Sequence, residues 1–331
     1  MTSVLVLGAG SIGRRHLRNL GQLAVQQLAV CDNSADRLAG IESDVGVTSF
    51  LGYDSALKDF KPASVVICTP PHSHLKHAHQ ALLAGAHVFV EKPLSDSSTG
   101  VADLRAAAIE ADRTVQVGYN LRFHRGLTVV KELVERRAVG KVLWSRAEFG
   151  QYLPDWRPSQ DYRQSYTARR ELGGGILLDA SHEFDYLMWL LGRPQTVSCL
   201  AGKVSTLEVD VEDSASVLLR FADGSHADVH LDFLQRQYSR SCKLVCEQGT
   251  ILWDYPSQQV RIFYAGAKDW EVQDVFTDPN DMYLAEMERF LCRVSSGDRS
   301  MAGLDAAADV LRLVDAAKSS AAEGRVERLQ W

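Results

Sequence analysis

A chain of 331 residues divides by about 150 into roughly two domains. Lys and Arg number 36 against 42 Asp and Glu, a formal charge of −6, and this acidic balance argues against a nucleic-acid binder, which carries a basic footprint. With 46% apolar and 24% charged residues the composition is that of a globular protein, and the longest candidate for a membrane span, Tyr186 to Leu191, is far too short.

Over the first 120 residues, near-continuous apolar runs at Val4–Leu7, Leu28–Cys31, Val65–Thr69, Val88–Val90 and Val115–Val117 read as strands buried on both faces. Helical patterns lie between them at Ile12–Leu20, Ser34–Ala39, Ser73–Leu83 and Ser98–Ala111, and such alternation predicts a doubly wound parallel sheet. Beyond a helix near Gly126–Arg137 the pattern changes. Strands are expected at Lys141–Tyr152, Thr196–Ala201, Ala215–Phe221, His226–Leu234, Lys243–Glu247, Ile251–Tyr255 and Gln259–Tyr264, with Asp223-Gly224 as a hairpin turn. One long helix, Gly175–Leu191, interrupts them, and two more close the chain at Met282–Val294 and Leu304–Ala321. The expected architecture is α/β: an N-terminal Rossmann domain over residues 1–121, and over 122–331 an α+β domain with a large open, mainly antiparallel sheet.

The chain opens into Val4-Leu5-Val6-Leu7 with no basic region ahead of it, so no secretory signal is expected. The six cysteines (Cys31, Cys68, Cys199, Cys242, Cys246, Cys292) form no Cys-x-x-Cys pair, which suits a reducing, cytoplasmic setting. No metal is expected: His72, His74, His77 and His79 spread around a helix rather than converging.

Gly8-Ala9-Gly10-Ser11-Ile12-Gly13 follows the first strand and opens the first helix. Gly8 suits the tight turn, Gly10 the approach of a pyrophosphate and Gly13 close helix–strand packing, while Ser11 and Ile12 begin a helix whose free N–H groups face the phosphates. Asp32 ends the second strand, placed to accept the adenosine-ribose hydroxyls and to repel the extra phosphate of NADP. NAD is therefore the expected cofactor, with Arg37 the residue that could reverse the preference.

Two further strings carry a family resemblance. Thr69-Pro70-Pro71-His72-Ser73-His74, with Ala84-Gly85-Ala86-His87-Val88-Phe89-Val90-Glu91-Lys92-Pro93, resembles the Gfo/Idh/MocA oxidoreductases, NAD(P)-dependent enzymes acting on sugars, inositols and nucleotide sugars. Gly173-Gly174-Gly175-Ile176-Leu177-Leu178-Asp179-Ala180-Ser181-His182, then Asp185, resembles the family's second-domain signature. The resemblance covers essentially the whole chain. It implies that Thr69, Pro70, His74, Glu91 and Lys92 lie about the cofactor, and that Asn120 and Arg122 line the substrate pocket, although an ordinary linker would read the same way.

Chemistry gives Lys92 and His182 roles on its own terms. Lys92 follows a parallel strand at its carboxyl end, where ligands collect, and an ammonium there can hold the negative charge of a developing alkoxide. His182 suits a general base, since the unperturbed pKa of a histidine lies near operating pH. On one helix Asp179 and Asp185 each lie three residues from it, so either carboxylate could orient the ring. The chain departs from the family here: the usual acid stands four residues before the histidine, where this sequence has Leu178.

Residues 151–171 form a long polar stretch with Trp156, Arg157, Asp161, Tyr162, Arg163, Tyr166, Arg169 and Arg170. Stretches of this length bind something or stay solvated. Aromatic faces suit sugar rings and arginine forks suit anions, so Trp156, Arg157, Tyr162 and Arg163 join Lys92, Asn120, Arg122, Asp179 and His182 as candidate substrate contacts, with an anionic sugar or nucleotide sugar favoured. Asp161-Tyr162-Arg163 also resembles a subgroup linked to surface-polysaccharide sugars. The expected function is reversible NAD-dependent oxidation of a ring secondary hydroxyl, with Lys92 and His182 as the acid–base pair. The alternatives are an NAD-dependent glycosidase that oxidises transiently and a non-catalytic NAD-binding regulator. The wide second sheet predicts a homo-oligomer, dimer or tetramer.

Overall fold

The structure, a computed structural model, describes residues 3–23, 25–41, 47–158 and 160–331. Packing divides the chain into two units: Met1–Asn120 with Asn280–Ala308, and Leu121–Pro279 with Asp309–Trp331. Residues 280–308, counted with 122–331 in the sequence, thus pack with the first unit.

In chain order the first unit runs β1 (Ser3–Leu7), α1 (Ser11–Gln22), β2 (Gln27–Cys31), α2 (Ala35–Leu38), β3 (Thr48–Phe50), α3 (Tyr53–Phe60), β4 (Ser64–Ile67), α4 (His74–Leu83), β5 (His87–Glu91), α5 (Val101–Glu110) and β6 (Val115–Gly118). The six strands are parallel in the order β3-β2-β1-β4-β5-β6, so the chain reverses its direction of growth between β1 and β4. Every residue of β1 and β4 is buried, because helices cover both faces, and this is why those strands read as unbroken apolar runs. The expectation omitted β3 and α3: β3 has only three residues, none fully buried, too short for any periodicity to show.

The second unit contributes α6 (Arg125–Glu135), β7 (Val142–Gly150), α7 (Ile176–Asp179), α8 (Ser181–Leu191), β8 (Pro194–Gly202), β9 (Ser214–Phe221), β10 (His226–Asp232), β11 (Ser239–Cys246), β12 (Gly249–Asp254), β13 (Gln259–Tyr264) and β14 (Glu271–Asp274). Then come α9 (Asp281–Ser296) in the first unit, α10 (Ala302–Glu323), which begins there and continues into the second, and β15 (Glu327–Arg328). The nine-stranded sheet has the order β14-β13-β12-β11-β7-β10-β9-β8-β15. Its pairings are antiparallel except β7 with β10. Alternation is clean in β9, where Ala215, Val217, Leu219 and Phe221 are buried and the residues between face water.

The single helix expected over Gly175–Leu191 is two. Ala180, at φ −92° and ψ 26°, leaves the helical region and separates α7 from α8. The sequence hides this break because α8 is buried nearly all round from Ser181 to Leu187, so no solvent-facing stripe marks where one helix stops.

In the first unit the core joins Val4 and Val6 of β1, Leu17 and Leu20 of α1, Val30, Val66 and Phe89 of the sheet, and Met287 and Phe290 of α9. Phe89 and Phe290 meet edge to face at 5.7 Å. All six cysteines are free. Among the described residues no helix is long and apolar enough to cross a membrane.

Candidate active site

The glycine-rich turn is held from both sides. Gly8, at φ 100°, adopts a conformation that L side chains rarely take, and its N–H donates to the Cys31 carbonyl at 2.8 Å. A Cβ on Gly13 would collide with the Gly8 carbonyl oxygen, whereas one on Gly10 would meet nothing within 4 Å. The turn is therefore closed beneath Gly13 and open above Gly10. Gly10 precedes Ser11 and Ile12 at the start of α1 and supplies no capping side chain, so the first N–H groups of α1 are left for a ligand.

Asp32 ends beside this turn and is only 5% exposed. Its carboxylate accepts from the Ala9 N–H at 2.8 Å and the Ser34 N–H at 2.9 Å, which fixes the side chain against the turn. The Arg37 guanidinium stands 3.7 Å from it with its side chain 62% exposed. A pyrophosphate at the helix start and a ribose at Asp32 fit these residues.

Thr69 and Pro70 follow β4 and lead through a short 3-10 turn into α4. His74, 1% exposed, has Nε2 2.6 Å from the Thr69 carbonyl and Nδ1 2.9 Å from the Pro93 carbonyl. Burial pushes its pKa down against the pull of those two carbonyls. The ring ties the segment after β4 to the segment after β5, and the resemblance had placed it about the cofactor. His77 lies edge-on to Tyr53 at 5.3 Å and is lowered to about 4 by burial. Lys92 follows β5 directly, its amide donating to Glu91 Oε2 at 3.2 Å. Asn120 closes the first unit, 3% exposed and hydrogen-bonded to Tyr283 of α9.

In the second unit Gly175, at φ 111°, turns the chain into α7, and a Cβ there would run into the Glu212 carboxylate. Asp179 at the end of α7 is 6% exposed and accepts from the Tyr166 hydroxyl at 2.7 Å. His182, in the first turn of α8, is 8% exposed. Asp185 is spent elsewhere: both its oxygens take the Arg122 fork, at 2.7 and 2.8 Å. Burial raises the Asp185 carboxyl against the pull of that guanidinium. Neither the Tyr166–Asp179 bond nor the Arg122–Asp185 pair was read from the sequence, since no spacing rule links residues 13 or 63 positions apart.

The 151–171 stretch is built of short 3-10 turns at Leu153–Asp155, Tyr162–Gln164, Tyr166–Ala168 and Arg170–Leu172, with residue 159 outside the described set. Trp156 packs edge-on against Phe149 and Phe233 at 5.8 and 5.4 Å and donates to the Gln151 carbonyl. Tyr162 Oη accepts from the Glu208 N–H at 3.1 Å. Arg163 is bound by Asp161 on one side and Glu208 on the other, and that guanidinium holds the Asp161 carboxyl below its ordinary range. Arg169 donates to the Arg163 carbonyl and Arg170 to the Asp210 carbonyl. Trp156, Arg157 and Tyr162 line a shallow hollow with Leu153, Gln160, Asp161, Ser165 and Thr167.

A parallel six-stranded sheet with this turn, this helix start and this aspartate defines a dinucleotide-binding Rossmann domain. Two family models match: an oxidoreductase family with an NAD-binding Rossmann fold over residues 2–119, and the GFO/IDH/MocA C-terminal domain over 127–252. The chain belongs to the Gfo/Idh/MocA family, and its cofactor is NAD. It is 28% identical to a myo-inositol 2-dehydrogenase of Thermotoga maritima over 98% of both chains. It is likewise 28% identical to inositol 2-dehydrogenase 3 of Saccharopolyspora erythraea over 88% of this chain and 85% of that one. Among solved structures, GenD2 from gentamicin A biosynthesis, in complex with NAD, superposes with a TM-score of 0.85 at 26% identity, covering 100% of this chain and 97% of that one. A levoglucosan dehydrogenase in complex with NADH and levoglucosan shares the fold at a TM-score of 0.89 and 19% identity over 100% of both chains.

Proposed function

We propose that the protein is a dehydrogenase that reversibly oxidises a ring secondary hydroxyl of a sugar or cyclic polyol. The observation that carries this reading lies within the first unit. The Gly8–Gly13 turn, Asp32 and Lys92 all stand at the carboxyl ends of parallel strands, the side on which such sheets bind ligands. Bound NAD supplies the hydride acceptor. Gly8, Gly10, Ser11, Ile12, Gly13 and Asp32 hold it, with Thr69, Pro70, His74, Glu91 and Lys92 about its reactive end. Lys92 hydrogen-bonds the reacting oxygen and holds the charge it gains, and His182 takes the hydroxyl proton. Asp179 orients His182: its carboxylate is steadied by Tyr166, whereas Asp185 is committed to Arg122.

Substrate charge follows from the arginines. Arg163, Arg169 and Arg170 spend donors on acids and carbonyls of their own surroundings, which supports a neutral ring over the anionic sugar or nucleotide sugar favoured by composition. An anionic substrate would be read by Arg157. The names of the relatives, inositol and levoglucosan dehydrogenases, support the same neutral class. Free cysteines support a reducing compartment. Leu200 and Leu218, exposed on one face of the second sheet, support self-association through it.

The test is a screen of inositols, neutral sugars, uronates and nucleotide sugars with NAD and NADP, reading the absorbance of reduced nicotinamide. Stoichiometric NADH accumulation is expected and separates a dehydrogenase from a transiently oxidising glycosidase. Lys92→Met should lower kcat at least about 100-fold with NAD affinity intact. Turnover within about tenfold of wild type, a barrier change of roughly 1.4 kcal/mol, would remove Lys92 from the mechanism.

A further inference from the structure

Two residues given no part in this chemistry, His16 and Glu286, gather about Glu91 in the first unit. His16 of α1, Glu91 at the end of β5 and Glu286 of α9 bring a ring nitrogen and two carboxylates within 4.8 Å of one another. His16 and Glu286 are 0% exposed and Glu91 is 8% exposed. His16 Nε2 lies 2.6 Å from Glu91 Oε1, and the other oxygen of Glu91 accepts the Lys92 amide. Neither oxygen of Glu286 has a hydrogen-bond partner, nor does His16 Nδ1.

Two carboxylates this close in a dry interior cannot both stay ionised, so something must neutralise one of them. A divalent ion would serve, but atoms ligating one zinc at about 2.0–2.2 Å stand roughly 3 Å or more apart. The 2.6 Å contact between His16 and Glu91 has the length of a charge-assisted hydrogen bond instead. The occupant that fits is a proton. Burial, and then the charge of Glu91, push the Glu286 carboxyl well above its ordinary range. The other groups about Glu286 do not offset this. The half-buried Cys68 thiol is raised by desolvation and then by the same two carboxylates, and Tyr283 on α9 is pushed up to about 12, mainly by burial. The nearby cation, Arg15, lies over the Tyr283 ring at 4.3 Å.

We propose that His16 and Glu286 are positioning residues for Lys92. Glu286 stays protonated, and Glu91, held by His16, fixes the Lys92 amide and so the direction in which the chain leaves β5. The role rests on the assignment of Lys92 to the reaction; the protonation of Glu286 does not.

The experiment compares wild type with Glu286→Gln in the full chain, measuring Tm without substrate from pH 5.5 to 9.5, kcat over the same range, and bound metal. A carboxyl whose folded pKa is raised stabilises fully below its unfolded pKa and loses that contribution as pH rises towards the folded value. Glutamine has nothing to ionise. The variant should therefore gain on wild type steadily as pH rises from 5.5, by about 4 °C or more at pH 9 relative to the difference at pH 5.5. Its kcat should persist to higher pH than that of wild type, with KM for NAD unchanged. Should the glutamine variant fail to fold, Glu286→Met, similar in length and equally unable to ionise, must show the same flattening. Parallel Tm–pH curves would overturn the proposal, as would one equivalent of divalent metal whose chelation lowers Tm. Equal kcat–pH profiles would remove the link to Lys92. If Lys92→Met keeps full turnover, the Lys92 assignment fails while the Tm comparison still reports on the proton.

Discussion

The two units bury charge in opposite ways. In the first, His16, Glu91 and Glu286 meet with no guanidinium among them. In the second, two fully buried acids each take an arginine: Asp185 accepts the Arg122 fork, and Glu183, 0% exposed, takes Arg240 at 2.8 Å while that guanidinium lies over the Phe149 ring at 4.5 Å. Burial is the largest influence on Arg240 and pulls its pKa down, but the charge and hydrogen bond of Glu183 together with Tyr238 and Tyr186 outweigh it, and the net movement is up. A permanent counter-ion makes the second arrangement insensitive to pH and wholly dependent on one side chain. A proton makes the first tolerant of neutral replacement and sensitive to pH.

That contrast can be broken most sharply at Arg240. Arg240→Met leaves Glu183 buried without a counter-ion and should cost about 3–5 kcal/mol in urea unfolding, with much of the loss recovered when Glu183→Gln is added. His182→Asn should lower kcat roughly 10²–10⁴-fold while NAD binding and Tm stay near wild type, a loss of chemistry without loss of fold. In the first unit, Gly13→Ala drives a methyl into the Gly8 carbonyl and should cost about 1–3 kcal/mol, read by Tm and by NAD titration together. Asp32→Ala should raise KM for NAD roughly tenfold and narrow the preference over NADP, because the acceptor for the ribose hydroxyls goes and Arg37 remains. The smallest effect concerns His124, which caps α6 by accepting the Gly126 N–H on Nδ1 and is lowered to about 4 by burial and by Arg240. Because its folded pKa lies below the unfolded one, this contribution is present at neutral pH and fades as pH falls towards 4. His124→Asn keeps a capping acceptor that does not titrate, so its Tm should fall a few °C less than that of wild type between pH 7 and 4.5.

What the sequence revealed follows from how local each signal is. Gly8 to Gly13 and Asp32 were legible because the turn, helix start and strand end lie within 25 residues, each with its own residue chemistry. The hairpin at Asp223-Gly224 was legible for the same reason, and Gly224 does take a positive φ of 87°. The amphipathic pattern of 282–294 announced a helix that packs, but nothing in it named α1 as the surface it packs on. The fate of the arginines was equally hidden. The arginines of 151–171 suggested an anionic ligand, but Glu208 and Asp210, outside that window, take up Arg163 and Arg170. Ion pairs and hydrogen bonds formed across a fold are invisible to a reading taken along the chain.

Helix α9 also bears on how this protein can be taken apart. A fragment ending at residue 120 would keep all six parallel strands yet lose Met287 and Phe290, exposing Leu17, Leu20 and Phe89 to water. It would aggregate where a self-sufficient nucleotide-binding module would not. Recombination that exchanges the second half for another specificity must therefore splice twice, preserving 280–308 along with the amino-terminal portion.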